Sequence, residues 1–155
     1  MTKLWKKGRG KLGAFKPLHG EWIAEAESQM GPVCCHRRLQ PILCGSYLRL
    51  DVRWEFGPAG SSRNYEELAV IGVGGDGVVS FWSFTSDGKR SQGNLADVTD
   101  IHPEAIGFEA IMPSGRARMV YWPAAGGGFH WAVESKTKKG WNRFVDHRYR
   151  PAGTA

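Results

Sequence analysis

His147 and Tyr149 stand two residues apart near the end of the 155-residue chain, a spacing that puts both side chains on one face of a strand. An imidazole there could give or take a proton, ligate a metal or haem axially, or hook a ligand; it could also be a strand histidine bonded to a neighbour. Cys34, Cys35 and His36 suggest a metal site by type, but adjacent residues on a strand point to opposite faces, so Cys34 and Cys35 are poorly placed to bind one ion. Together with Cys44 they make an odd, sparse set that reads as buried or half-buried thiols and not as a secreted disulfide framework. Tyr65, Glu66 and Glu67 could place a carboxylate at the mouth of a barrel, or form a solvated strand end. Arg116 and Arg118 share a strand face and suit either an anion or acids of an adjacent strand. Gly72–Gly77 looks like a phosphate-cradling loop but lacks the following helix, so it reads as a hairpin. Trp22, Trp54, Trp82, Trp122, Trp131 and Trp141 could line an aromatic pocket, and core packing accounts for the same residues.

The elements that must position these groups are strands. From Gly20 to Pro151 the chain alternates apolar and polar residues and is cut at near-regular intervals by glycine turns. The clearest row is Leu48, Leu50, Val52, Trp54 and Phe56 on one face, with Arg49, Asp51, Arg53 and Glu55 on the other. Further strands are expected over Glu21–Ser28, Val33–Leu39, Tyr65–Val73, Val78–Thr85, Ser91–Val98, Ala105–Met112, Arg116–Trp122, Phe129–Ser135 and Trp141–Arg150, with Pro41 interrupting and Gly57–Ser62 a loop. Asp87-Gly88 carries the signature of a type I′ turn, and Ser114-Gly115 marks another hairpin. About ten strands with short connections would leave two long edges as an open sheet. A closed antiparallel up-and-down barrel removes them, and a two-sheet sandwich would need long crossing connections that are not seen. The expected fold is therefore all-β, a single closed barrel of about ten strands without a helical lid.

Charge divides the chain. Residues 1–18 hold Lys3, Lys6, Lys7, Arg9, Lys11 and Lys16 and no acid; six of the 21 basic residues lie there, leaving 15 against 15 acidic ones. The expected organisation is a basic flexible arm over 1–17, a barrel domain over 18–151 and a disordered tail over 152–155. The arm could touch nucleic acid or an anionic surface, and otherwise reads as a solvated extension, since no nucleic-acid signal is found beyond it. No apolar run approaches the ~20 residues that span a membrane, and the basic N-terminus lacks a signal-peptide core, so a cytoplasmic protein is expected.

Gly20-Glu21-Trp22 resembles the Gly-x-Trp signature of the calycins, which include lipocalins, fatty-acid-binding proteins and nitrobindin-like barrels. Leu18–Trp22, Gly45–Asp51, Tyr65–Gly72, Phe81–Phe84 and Tyr149-Arg150 together resemble an uncharacterised bacterial calycin-like family of unknown function. The resemblance implies a fold, and a clasp in which Gly20 and Trp22 meet a last-strand cation, Arg148 or Arg150. It departs from the fatty-acid-binding pattern in two places. His147-x-Tyr149 stands where that group has Arg-x-Tyr, and only a turn fits where it has a helical lid. The resulting expectation is a non-enzymatic barrel holding a small apolar or amphipathic molecule near Trp22, Trp54, Trp82, Trp131, His147 and Tyr149, without a metal or obligatory cofactor. An enzyme using His147 as acid or base, a haem-binding barrel, and a filled barrel acting as an interaction module or homodimer stay open as alternatives.

Overall fold

The alternating rows become ten antiparallel strands in a computed structural model that describes residues 5–57, 64–112 and 115–153. They are β1 (Gly20–Ser28), β2 (Gly31–Ile42), β3 (Tyr47–Phe56), β4 (Asn64–Val73), β5 (Val79–Thr85), β6 (Arg90–Ala96), β7 (Ile106–Met112), β8 (Gly115–Pro123), β9 (Phe129–Thr137) and β10 (Gly140–Pro151). Each pairs with its sequence neighbours, and β1 closes on β10 through Trp22 opposite Pro151 and Ile23 opposite Arg150. The Ala152 amide extends that seam by donating to the Glu21 carbonyl at 2.9 Å. The result is the closed up-and-down barrel expected from the pattern, with every internal strand paired on both sides.

Two local expectations are corrected. Pro41 does not interrupt β2, which runs through it to Ile42. Pairing with β1 ends at Leu39, while Pro41 stays opposite Leu48 of β3, so its missing N–H falls where the strand has become an edge. Asp87-Gly88 does not form a type I′ turn, because Gly88 has a positive φ (83°) and Asp87 does not. The Gly88 amide instead donates to the Thr85 carbonyl, and the Asp87 carboxylate accepts from the Thr85 hydroxyl and the Lys89 amide. That is a three-residue loop with glycine at the left-handed position. The Gly74–Gly77 segment is a hairpin turn, closed by Gly77 N–H to Gly74 O at 2.9 Å.

The two ends of the barrel differ. The connections β2–β3, β4–β5, β6–β7 and β8–β9 gather at one end with a short 3-10 segment, Gly13–Leu18, which seals it. The arm expected to be a flexible extension is thus, over residues 5–17, folded onto the barrel; Lys3 and the rest of 1–4 lie outside the described residues. Phe15 is fully buried and stacks on Phe108 at 5.5 Å, while Lys11 Nζ donates to the Gly77 carbonyl at 2.9 Å. The physical reason is apolar: Phe15, Pro17 and Leu18 are a plug whose burial outweighs the solvation of the surrounding lysines. A Cβ on Gly13 would run into the Gly8 carbonyl, so glycine is what lets the chain fold back here. The opposite end, where β1–β2, β5–β6 and β9–β10 turn, is the mouth. Residues 58–62 of the expected Gly57–Ser62 loop, Ser114 of the β7–β8 turn, and 154–155 of the tail are outside the described residues.

Burial also occurs outside the wall. Val98 packs beside Gly107, and Val120 and Ala132, which point outward, are fully covered. Arg118 donates to Glu134 at 2.8 Å and to Asp100 at 2.8 and 3.0 Å, and Arg143 donates to Glu134 at 2.9 Å. The Arg116–Arg118 face thus pairs with acids, Arg116 with Glu109 and Arg118 with Glu134 and Asp100.

Candidate ligand site

Strand phase selects what faces the interior. On β2 the inward row is Val33, Cys35, Arg37 and Leu39, which places a guanidinium among apolar side chains. Register sets Arg37 beside Val52 of β3, and Val52 beside Glu67 of β4, so a cation and a carboxylate share one inward tier. A second tier runs from Tyr121 on β8 through Trp131 on β9 to His147 on β10. The two tiers face each other across the barrel. Trp54 meets Trp131 edge-on at 6.4 Å and His147 at 5.1 Å.

Between them, toward the mouth, lies a cavity of about 270 Å³. Its walls are largely apolar and aromatic: Val52, Trp54, Phe81, Phe108, Met119 and Trp131. Tyr65, Glu67 and Ser91 supply polar atoms, and half-exposed Phe144 stands at the rim, where β10 bulges between Arg143 and Val145. The Ser83 hydroxyl donates to Glu67 Oε2, which fixes the carboxylate in the mouth half of β4. A wider hollow of about 660 Å³ against β6 and β7 lies on the outside of the wall and is not enclosed by it.

Below the cavity is a polar cluster in an aromatic box. Arg37 is 3% exposed; its Nη1 donates to the Tyr121 hydroxyl at 2.7 Å, and its guanidinium lies 4.4 Å from the centre of Trp131, 5.3 Å from Tyr121 and 5.4 Å from Tyr149. Burial acts to lower the Arg37 pKa, but Tyr121, Tyr149 and Glu67 more than offset it, so the net shift is upward and the group stays charged. Burial pushes the Tyr149 phenol up to about 12 and raises that of Tyr121, so both are neutral in ordinary conditions. Burial, then the charge of Arg37, lowers His147 to about 4, so this imidazole is neutral at pH 7. Cys35, fully buried two residues before Arg37 on β2, is pushed up to about 12 by burial and is an inert thiol. Arg37 Nε and Nη2, Trp131 Nε1, His147 Nδ1 and the Tyr149 hydroxyl have no hydrogen-bond partner among the described residues. Tyr149 lies close enough to Arg37 and Cys35 to act on both, without hydrogen-bond geometry to either.

The expected ligand set divides. Trp54 and Trp131 line the cavity, and His147 and Tyr149 face inward in the box beneath it. Trp82 does not join them: it alternates with inward Phe81 and Ser83, so the strand period turns it to the outer face. Trp22 is inward but at the sealed end, edge-on to Phe129 at 4.8 Å, with Nε1–H donating to the Leu18 carbonyl at 2.8 Å. Gly20, with φ 117°, begins the strand that carries it. The chain ends meet by backbone pairing. Arg148 donates to the Ala125 carbonyl and Arg150 to Glu25, both on the outer face because they flank inward Tyr149. Cys34 and Cys35 do point to opposite faces, Cys34 approaching His36 at 3.7 Å, and Cys44 is exposed. Among the described residues no group of three or more His, Cys, Asp or Glu is placed to hold a metal.

Arg37 is the residue that the sequence analysis passes over. Its signal was present: it falls in phase with Val33, Cys35 and Leu39, a charged residue on an otherwise apolar row. Glu67, in phase with Ala69 and Ile71, stands out in the same way. No helix among the described residues is long and apolar enough to cross a membrane. Comparison with protein-family models and with curated proteins returns no match.

Proposed function

We propose that this barrel binds a small, mostly apolar molecule in its mouth cavity, in the manner of a calycin-like carrier. The observation that carries the proposal is the cavity itself, an apolar and aromatic hollow of about 270 Å³ opening where the barrel is unsealed. At the ~30 Å³ that a liquid water occupies, the space equals roughly nine waters, so it suits a ligand of about ten non-hydrogen atoms. That is well short of a haem. The acid–base alternative draws less support, because His147 sits in the box below the cavity, without a hydrogen-bonded catalytic partner.

Calorimetric titration with straight-chain alcohols of six to ten carbons tests the proposal, with Ala117→Phe as control. Ala117 lines the cavity, so the larger ring fills it. Saturable binding that peaks at an intermediate chain length and disappears in folded A117F is expected. Binding that is absent, or identical in A117F, removes the carrier reading.

A further inference from the structure

We propose that the outer face of β4 and β5 is a dimerisation surface and that its occupant is a second copy of this chain, packed on it about a two-fold axis parallel to the strands. The inference concerns the outside of the wall and does not depend on the carrier reading. On β4 the core residues Ala69 and Ile71 turn Leu68 and Val70 outward, and on β5 inward Phe81 and Ser83 do the same for Trp82 and Phe84. Register makes these four one patch, with Leu68 opposite Phe84 and Val70 opposite Trp82. Phe84 is 50% exposed and Leu68 38%, while Val70 and Trp82 are half-buried beside them. A contiguous apolar patch of this kind marks an interaction surface, as scattered apolar residues do not.

The flanks of the patch say what covers it. One row across four strands reads Asp51, Leu68, Phe84 and Arg90 from β3 to β6, with an acid at one end and a base at the other. Turned about the two-fold axis, that row meets its own reverse: Leu68 of each copy lies on Phe84 of the other, and Asp51 faces Arg90 at both ends. The next row, Arg49, Val70, Trp82 and Gln92, sets Val70 on Trp82 and the Arg49 guanidinium against the Gln92 side-chain carbonyl. The exposed Arg90 guanidinium has no hydrogen bond or ion pair among the described residues. Asp51 accepts only from Arg49 among them, at 3.1 to 3.3 Å, and keeps lone pairs for a second cation. Sheet faces pack on one another about 10 Å apart with their strands nearly aligned, which is the arrangement this axis produces. Four apolar side chains and two charged ends per copy place the contact below the ~1,200 Å² of standard interfaces, so the dimer is weak and reversible.

Sedimentation velocity of the full chain from about 1 to 300 µM, a range that brackets a micromolar Kd, provides the test. Wild type is expected to pass from monomer to dimer across that range. Phe84→Ser, Asp51→Arg and Arg90→Asp, all at surface positions and each with the wild-type circular dichroism spectrum, should weaken the dimer at least about tenfold. The charge variants do so because the two-fold axis makes like charges meet twice. An equal mixture of D51R and R90D restores opposite charges at both ends and should dimerise within about threefold of wild type. If D51R does not fold, F84S and R90D carry the comparison, with the R90D loss larger at low salt than at high salt. A wild-type chain that stays monomeric throughout, a dimer that F84S and R90D leave intact, or a D51R and R90D mixture that does not recover overturns the assignment.

Discussion

His147 makes acid stability of this protein a measure of how well the box below the cavity excludes water. The side chain is 6% exposed, ringed by Trp54, Trp131 and Tyr149 at 5.1 to 6.0 Å, and close enough to Arg37 to feel its charge. Only Asp146, on the same strand, pulls the other way. Burial and Arg37 together lower its pKa from 6.5 to about 4. The unfolded chain takes up a proton as pH falls through 6.5, whereas the folded protein resists until about 4, so more protons are bound in the unfolded state across that window. Stability from this residue is complete above pH 6.5 and is lost progressively on acidification, by roughly 2.5 kcal/mol between pH 7 and pH 4.5. Urea unfolding followed by tryptophan fluorescence at several pH values reads this directly. His147→Leu, of similar volume, removes the titration and should be within about 1 kcal/mol of wild type at pH 7, because the imidazole Nδ1 it replaces has no partner. The difference between the two curves is the informative quantity: His130, also lowered by burial, and the hydrogen-bonded Asp87, Asp97 and Asp100, lowered in the folded state, contribute to both proteins. If wild type and H147L lose stability in parallel from pH 7 to 4.5, the imidazole is hydrated in solution and the sealed box is wrong.

Two further substitutions test how the wall is held. Glu134→Ala takes the carboxylate from between Arg118 and Arg143 and leaves the buried Arg118 with only the exposed Asp100; a loss of about 3–5 kcal/mol is expected in urea unfolding, against less than about 1 kcal/mol for Asp100→Asn. Gly128→Ala places a Cβ against the Tyr149 carbonyl at a residue with φ 73°, and should cost roughly 2–5 kcal/mol of stability, visible as a fall in Tm with no loss of the β-sheet circular dichroism spectrum below it.

The strands were legible because period-two alternation is a local property. The row Leu48, Leu50, Val52 declares its face without reference to any other strand, and glycine turns mark the ends of each run. Ten such runs with short connections leave closure as the economical topology, and the barrel closes as that reasoning requires. Turn chemistry was less legible, since Asp87-Gly88 is compatible with two loop types until the Thr85 and Lys89 partners are in place. The fate of the basic arm was hidden for a similar reason. Phe15 and Leu18 look like stray apolar residues until an open barrel end exists for them to fill.

What the sequence determined by itself was the container: which residues are strands, that they close into a barrel, and that charge excess lies before Gly20. The site needed tertiary structure. His147 and Tyr149 were visible as a pair because two residues of one strand share a face, but their partners are far away in sequence. Tyr121 is 84 residues from Arg37, and only the order of strands around the barrel places Trp131, Tyr149 and a guanidinium from β2 in one box. Lateral register, which the chain writes into no single segment, decided that Arg37 and Glu67 flank Val52 beside the cavity. The same packing then decided the chemistry: Tyr121, Tyr149 and Glu67 keep Arg37 charged against the pull of burial, while burial and the charge of Arg37 keep His147 neutral.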